Sequence, residues 1–119
     1  MPAYAGGNLS DTQSDIGSAQ LVLRPLSNLT GFAAIGEIDA SNRPVLATAL
    51  AELVNGDGDV HLDLGQVRFV DVGTATLLVS TARRLTDGRQ LLLHHPPYEL
   101  SFMFTTLWPG TATIETDST

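Results

Sequence analysis

"RFVDVGTATLL", residues 68–78, reads as an apolar run that ends in an aspartate, then a turn of small residues, then an apolar helix. A strand feeding a helix in this way is the building unit of α/β structure. Asp71, at the junction, is placed to accept hydrogen bonds from the first free amides of the helix and to complement the positive end of its dipole. Gly73 lets the turn approach its neighbours closely. In open α/β sheets, binding surfaces collect at the carboxyl ends of the strands. The same eleven residues therefore bear on both the fold and the candidate site.

Upstream, "DVHLDLG" (59–65) alternates Val60, Leu62 and Leu64 with His61 and Asp63, the pattern of a strand with unequal faces, and "VRFV" (67–70) prolongs it past Gly65-Gln66. Before that, "SNRPVLATALAELVNG" (41–56) is a helix with both ends marked. Ser41 or Asn42 offers a cap, Pro44 suits the first turn, and Asn55-Gly56 ends it. Its apolar stripe is Val45, Leu46, Ala49, Leu50, Leu53 and Val54. "QLVLRPL" (20–26) and "FAAIGEID" (32–39), joined by "NLTG", predict a hairpin.

Downstream, the helix over 72–86 turns Ala75, Leu78, Ala82 and Leu85 inward and stops at Asp87-Gly88. "RQLLLHH" (89–95) is a short apolar strand. Pro96-Pro97 opens a third helix with Leu100, Met103, Phe104 and Leu107 on one face, leaving Phe102 and Trp108 outside it. After "WPG", "TATI" (111–114) is a last short strand. The order ββαβαβαβ implies an α/β domain: a mixed sheet of four to five strands, largely parallel, with right-handed crossovers and helices packed on it. Residues 1–18 carry little to bury and are expected to form a disordered tail, 19–116 the domain, and 117–119 a C-terminal tail.

Composition narrows the function. The chain has 119 residues, the length of one domain, and its 43% hydrophobic content is enough for a single core. Six arginines and no lysine stand against thirteen acidic residues, a net charge of −7. Nucleic-acid binding needs clustered positive charge, and only Arg83, Arg84 and Arg89 come close. Without cysteine there is no disulfide, thiolate zinc site or thiol catalysis. His94 and His95 leave a strand to opposite sides and His61 lies elsewhere, so no metal or cofactor is expected. No nucleophile elbow or glycine-rich phosphate loop occurs, and an enzyme is not expected. The start of the chain has no basic and apolar signal regions and no stretch is long enough to span a bilayer, so the expected location is cytoplasmic, without membrane insertion.

"GEIDASN" (36–42), "HLDLGQVRFVDVGTATLL" (61–78) and "FTTLWPGTATI" (104–114) together resemble the STAS domain of bacterial anti-sigma-factor antagonists. The resemblance implies a single STAS-like domain that binds an anti-sigma factor, a histidine-kinase-like serine kinase, and lets go when phosphorylated at the start of the second helix. The family motif there is Asp-Ser-Ser-Gly or Asp-Ser-Thr-Gly, with the second hydroxyl modified. In this chain the aspartate is Asp71, the first hydroxyl position is Val72, the modified position is Gly73, and the motif glycine is Thr74. Glycine accepts no phosphate. Thr74 lies one residue on, about 100° around the helix, so it would serve as the acceptor only if the turn rearranged. The resemblance makes Asp39, Asp71, Val72, Gly73, Thr74 and Thr76 the candidate partner-binding residues and Thr74 the candidate phosphorylation site. STAS-like domains without the phosphoserine also serve as adaptors in lipid-transport assemblies and as parts of anion transporters. A third expectation, from the helix N-terminus itself, is an anion- or nucleotide-sensing domain.

Overall fold

The computed structural model describes residues 16–17, 20–110 and 114–117. Its elements in chain order are β1 (Ile16–Gly17), β2 (Leu21–Pro25), β3 (Gly31–Ile38), α1 (Arg43–Val54), β4 (Val60–Val70), α2 (Val72–Arg84), β5 (Leu91–His94), α3 (Tyr98–Leu107) and β6 (Ile114–Asp117). The strands form one sheet in the order β1-β2-β3-β4-β5-β6. The first two pairings are antiparallel and the rest parallel. The architecture is the expected mixed α/β domain, with one more edge strand than the pattern suggested. Ile16 and Gly17 pair with Leu23 and Val22, inside the stretch read as tail. The last strand runs through Asp117 rather than over 111–114, of which 111–113 lie outside the described residues. The rest of the N-terminal stretch and residues 118–119 lie outside them too.

Consecutive parallel strands that are also neighbours, linked by right-handed crossovers, place their helices on one face. Burial records this. Leu21 and Leu23, Ala34 and Ile38, Val60 and Leu62, and Leu91 and Leu93 are all fully buried, together with Leu46 and Leu50 of α1, Leu78 of α2 and Leu100 of α3. The alternate strand positions, Val22, Ala33, Ile35, His61, Asp63, Leu92 and His94, are only half-buried. Parallel sheets are usually covered on both faces and written in continuous apolar runs. The alternation in β4 was therefore the visible sign of a one-sided sheet.

The β3–β4 ladder slips twice. Ala33 faces Asp63 but Ile35 faces Gln66, and Gly36 faces Val67 but Glu37 faces Phe69. Each slip places one extra residue in β4, a bulge that reverses which face its side chains meet. This is why Val60, Leu62 and Leu64 point inward, why Val67 then packs against the core, and why Val70 resumes. Gly31, with φ +155°, lies where a Cβ would meet the His61 carbonyl, so the first step of this ladder admits only glycine.

The helix ends differ in how they are held. Asn42 caps α1 without a side-chain bond to its amides. Its buried side chain instead donates to the Glu37 carbonyl at 2.9 Å and accepts from the Asp39 amide at 3.0 Å. At the other end of α1, Arg89 donates to the carbonyls of Val54 (2.8 Å), Leu53 (3.0 Å) and Gly58 (2.7 Å). A cation on the last carbonyls of a helix satisfies orphan acceptors and opposes the dipole. Arg89 is thus committed to the fold and is not part of a basic patch. In α3, Leu100 and Phe104 are buried and Met103 packs against the core, but Leu107 is 51% exposed. The apolar face is one residue shorter than its spacing predicted.

Candidate functional site

β3 and β4 run side by side to Ile38 and Val70, which are register partners. Asp39 and Asp71 follow immediately, so both carboxylates stand at the same end of the sheet, and each leads into a helix. This juxtaposition follows from the parallel pairing of β3 and β4.

Asp71 is extended (φ −107°, ψ 176°) and caps α2. Its Oδ1 accepts from the Thr74 amide at 2.9 Å and from the Thr74 hydroxyl at 2.8 Å. Its Oδ2 accepts from Nη2 of Arg43 at 2.7 Å. Partial burial pushes the Asp71 carboxyl up. The Thr74 hydrogen bonds and the Arg43 guanidinium outweigh this and hold it below the ordinary value of 3.8. Arg43 also approaches the Thr74 hydroxyl, with Nε at 3.5 Å. The guanidinium lies over Gly73, where a Cβ would come within 2.4 Å of Nη2 and 2.5 Å of Cζ. Position 73 is glycine because an arginine from α1 fills the space its side chain would take.

Thr74 is fully buried, and its hydroxyl is engaged on both sides. In this fold Thr74 supports the cap from within, its hydroxyl donating to Asp71. Thr76 is exposed, with its hydroxyl donating to the Val72 carbonyl at 3.0 Å. Val72 is 52% exposed, and Phe69, just before the turn, equally so. Two large apolar side chains left in water beside a turn are an informative feature of a small surface.

Asp39 is more open. Its Oδ1 accepts from the Ser41 amide at 2.9 Å and the Ser41 hydroxyl at 2.6 Å. These bonds to Ser41 are the main reason its carboxyl lies below 3.8, against a smaller opposing push from Asp71. Its own carbonyl accepts from the first amide of α1, Arg43, at 2.8 Å.

Sequence reasoning missed two features. Arg43 was only one of six arginines, because nothing in its spacing says that the first residue of α1 crosses to the first turn of α2. The second is a histidine contact. His61 Nδ1 and His94 Nε2 are 2.9 Å apart, across β4 and β5. His94 and His95 do diverge, and His95 turns instead toward Asp63, with Nδ1 3.6 Å from Oδ1. Among the described residues no three His, Asp or Glu side chains come together to hold a metal ion. Nor is any helix among them long and apolar enough to cross a membrane.

A mixed sheet with a strand–Asp–helix turn at its carboxyl end and a second aspartate beside it fits a STAS domain, a class of regulatory and binding modules that are generally non-catalytic. The chain belongs to that family: the family model described as "Mlab, STAS domain" matches residues 30–107, from the turn before β3 to the last residue of α3. No curated protein matches the chain.

Proposed function

We propose that this protein is a regulatory docking module, similar to an anti-sigma-factor antagonist, which binds an anti-sigma factor or histidine-kinase-like serine kinase without phosphoryl control at the usual position. One observation carries the reading. The first turn of α2 is closed: Gly73 is covered by Arg43, and the Thr74 hydroxyl is buried against Asp71. A kinase must place its acceptor hydroxyl to within about 1 Å, so an acceptor enclosed in this way cannot be reached without opening the cap. The contact surface is Asp39, the exposed edge of Asp71, Val72, Gly73 and Thr76, with Phe69 beside them. It needs no metal or cofactor.

The same closure favours a second reading, a constitutive adaptor subunit of a transport assembly. The two differ in the partner: a kinase-like protein in the first, an ATPase or membrane component in the second. Affinity purification from the native cells, with phosphatase inhibitors, identifies the partner and gives the intact mass. The expected result is one unmodified species whose partner is lost in Val72→Glu. A species heavier by one phosphoryl group, about 80 Da, mapped to the turn would overturn the constitutive reading. A partner that survives Val72→Glu would move the docking surface elsewhere. Anion or nucleotide sensing at the same turn predicts a thermal shift, about 2.7 kcal/mol of added stability for a ligand at a hundred times its Kd. The docking reading predicts none.

A further inference from the structure

The face of the sheet away from the three helices carries a contact that docking at the α2 turn does not use. His61 lies in β4 opposite Gly31 of β3 and Leu92 of β5, and His94 in β5 lies opposite Asp63 of β4. Their imidazoles therefore meet on the diagonal. The ring planes are 15° apart and the centroids 5.1 Å apart. That separation is close to the 2.9 Å between His61 Nδ1 and His94 Nε2 plus the two ring radii, so the rings meet edge to edge and nearly coplanar. A nitrogen lone pair lies in the ring plane, and this geometry aims each facing nitrogen at the other.

Such a contact has a strict proton requirement. Exactly one hydrogen must lie between the two nitrogens, supplied by one ring and accepted by the other. A neutral pair satisfies this with complementary tautomers, and a singly charged pair satisfies it as well. A doubly charged pair does not, because two N–H groups then face each other between two like charges. We propose that His61 and His94 form a proton-sharing clasp between β4 and β5 that holds while the pair carries at most one extra proton and opens when it takes up a second.

The surroundings agree with this reading. Burial and the facing His94 lower the basicity of His61 below the usual 6.5, and Asp59 opposes them only in part. Asp63 stands between the two histidines in the ladder, but its Oδ1 accepts from the Gly65 amide and faces His95. β3 brings only Gly31 and Ala33 opposite His61 and Asp63, and Arg24 of β2 lies one strand further out, opposite Ala33. In β6, Glu115 and Asp117 stand at the register positions of Leu92 and His94. The β4–β5 ladder has only four register pairs, Val60–Asp63 with Leu91–His94. The His61–His94 contact adds a side-chain link to these pairs, and α3 and β6 follow from β5. The sign is fixed by the lowered His61: its contribution is intact above pH 6.5 and lost as the pH falls below it.

The test is side-chain nitrogen NMR of the full chain, from pH 8 to pH 5. At neutral pH one of the two facing nitrogens should read as protonated and the other as bare. On acidification the pair should titrate in two separate steps, with His61 in the later one. In His94→Gln, His61 should titrate in a single step and at higher pH. Amide protection of residues 91–94, corrected for intrinsic exchange, should fall across the second step in the wild type. Two protonated or two bare facing nitrogens at neutral pH would overturn the clasp. So would His61 titrating identically with and without His94. The wild-type tautomer measurement needs no variant to fold.

Discussion

Asp39 and Asp71 occupy matching positions, one step past a register pair of adjacent parallel strands and just ahead of a helix, yet they are held in different ways. Asp71 closes its helix. Its two oxygens take the Thr74 amide, the Thr74 hydroxyl and the Arg43 guanidinium. Asp39 spends its carboxylate on the near side of its own turn, on Ser41, and leaves the α1 amides to its backbone carbonyl. The difference comes from one crossing. The first residue of α1 reaches the first turn of α2. The same local pattern of strand, aspartate and helix thus yields a carboxylate fastened to a neighbouring helix in one place and one held only within its own turn in the other, both at one end of the sheet.

The contrast is broken most severely by Asp71→Ala. The substitution removes a cap, leaves the buried Thr74 hydroxyl without its acceptor and strips Arg43 of its counter-ion. Loss of a cap costs about 1 kcal/mol and an unsatisfied buried hydroxyl about 1–3 kcal/mol, so a loss of about 2–4 kcal/mol is expected. Urea denaturation checks it as a lower midpoint at unchanged slope. A loss below about 0.5 kcal/mol would mean that the cap does not fasten the turn. Next is Gly73→Ala, which drives a methyl into the guanidinium. The arginine is long and can swing aside, so the cost is about 1 kcal/mol, the worth of the ion pair and hydrogen bonds it gives up. In an Arg43→Ala background Gly73→Ala should cost much less. A double-mutant cycle reads the difference directly, and strict additivity would separate Gly73 from Arg43.

These two substitutions also mark how far the sequence could be read. The strands and helices were legible because β4 alternates at period two, because α1 and α2 carry apolar stripes at helical spacing, and because Asp71 is a strong cap signal before a helix. The shared end of the sheet for Asp39 and Asp71 follows from strand order alone. Arg43 over Gly73 was not legible, because it depends on how α1 and α2 lie against each other, and no local pattern encodes that. The burial of Thr74 was hidden for the same reason: a threonine in a first turn reads as surface until a neighbouring helix covers it. The His61–His94 contact depends on register across two strands, and the bulges that set the β4 register have no marker clearer than Gly65.

Acid should sharpen the comparison. Asp71 has its carboxyl lowered in the folded chain by Thr74 and Arg43, so it contributes stability that is present above the unfolded value near 3.8 and lost as the pH falls through the folded one. Denaturation midpoints measured between pH 5 and pH 2.5 should fall in the wild type. The fall should be shallower in Asp71→Asn, which has no carboxylate to take up a proton. If the two profiles run parallel, the acid sensitivity lies elsewhere, and the carboxylates of the other strand ends are the next to replace.

Asp39→Asn is the smallest expected change to stability and the most informative about the surface. Asparagine keeps an oxygen for the Ser41 amide and hydroxyl, and the α1 amides rest on a backbone carbonyl that the substitution does not touch. The melting midpoint should therefore stay within the scatter of repeated measurements. Binding to the partner should still weaken, because the exposed negative charge is the one feature of Asp39 that no internal contact uses up. A variant that melts early would show that Asp39 is fastened as Asp71 is. One that melts normally and binds normally would move the weight of the proposed contact from Asp39 to Val72 and Phe69, both half-exposed.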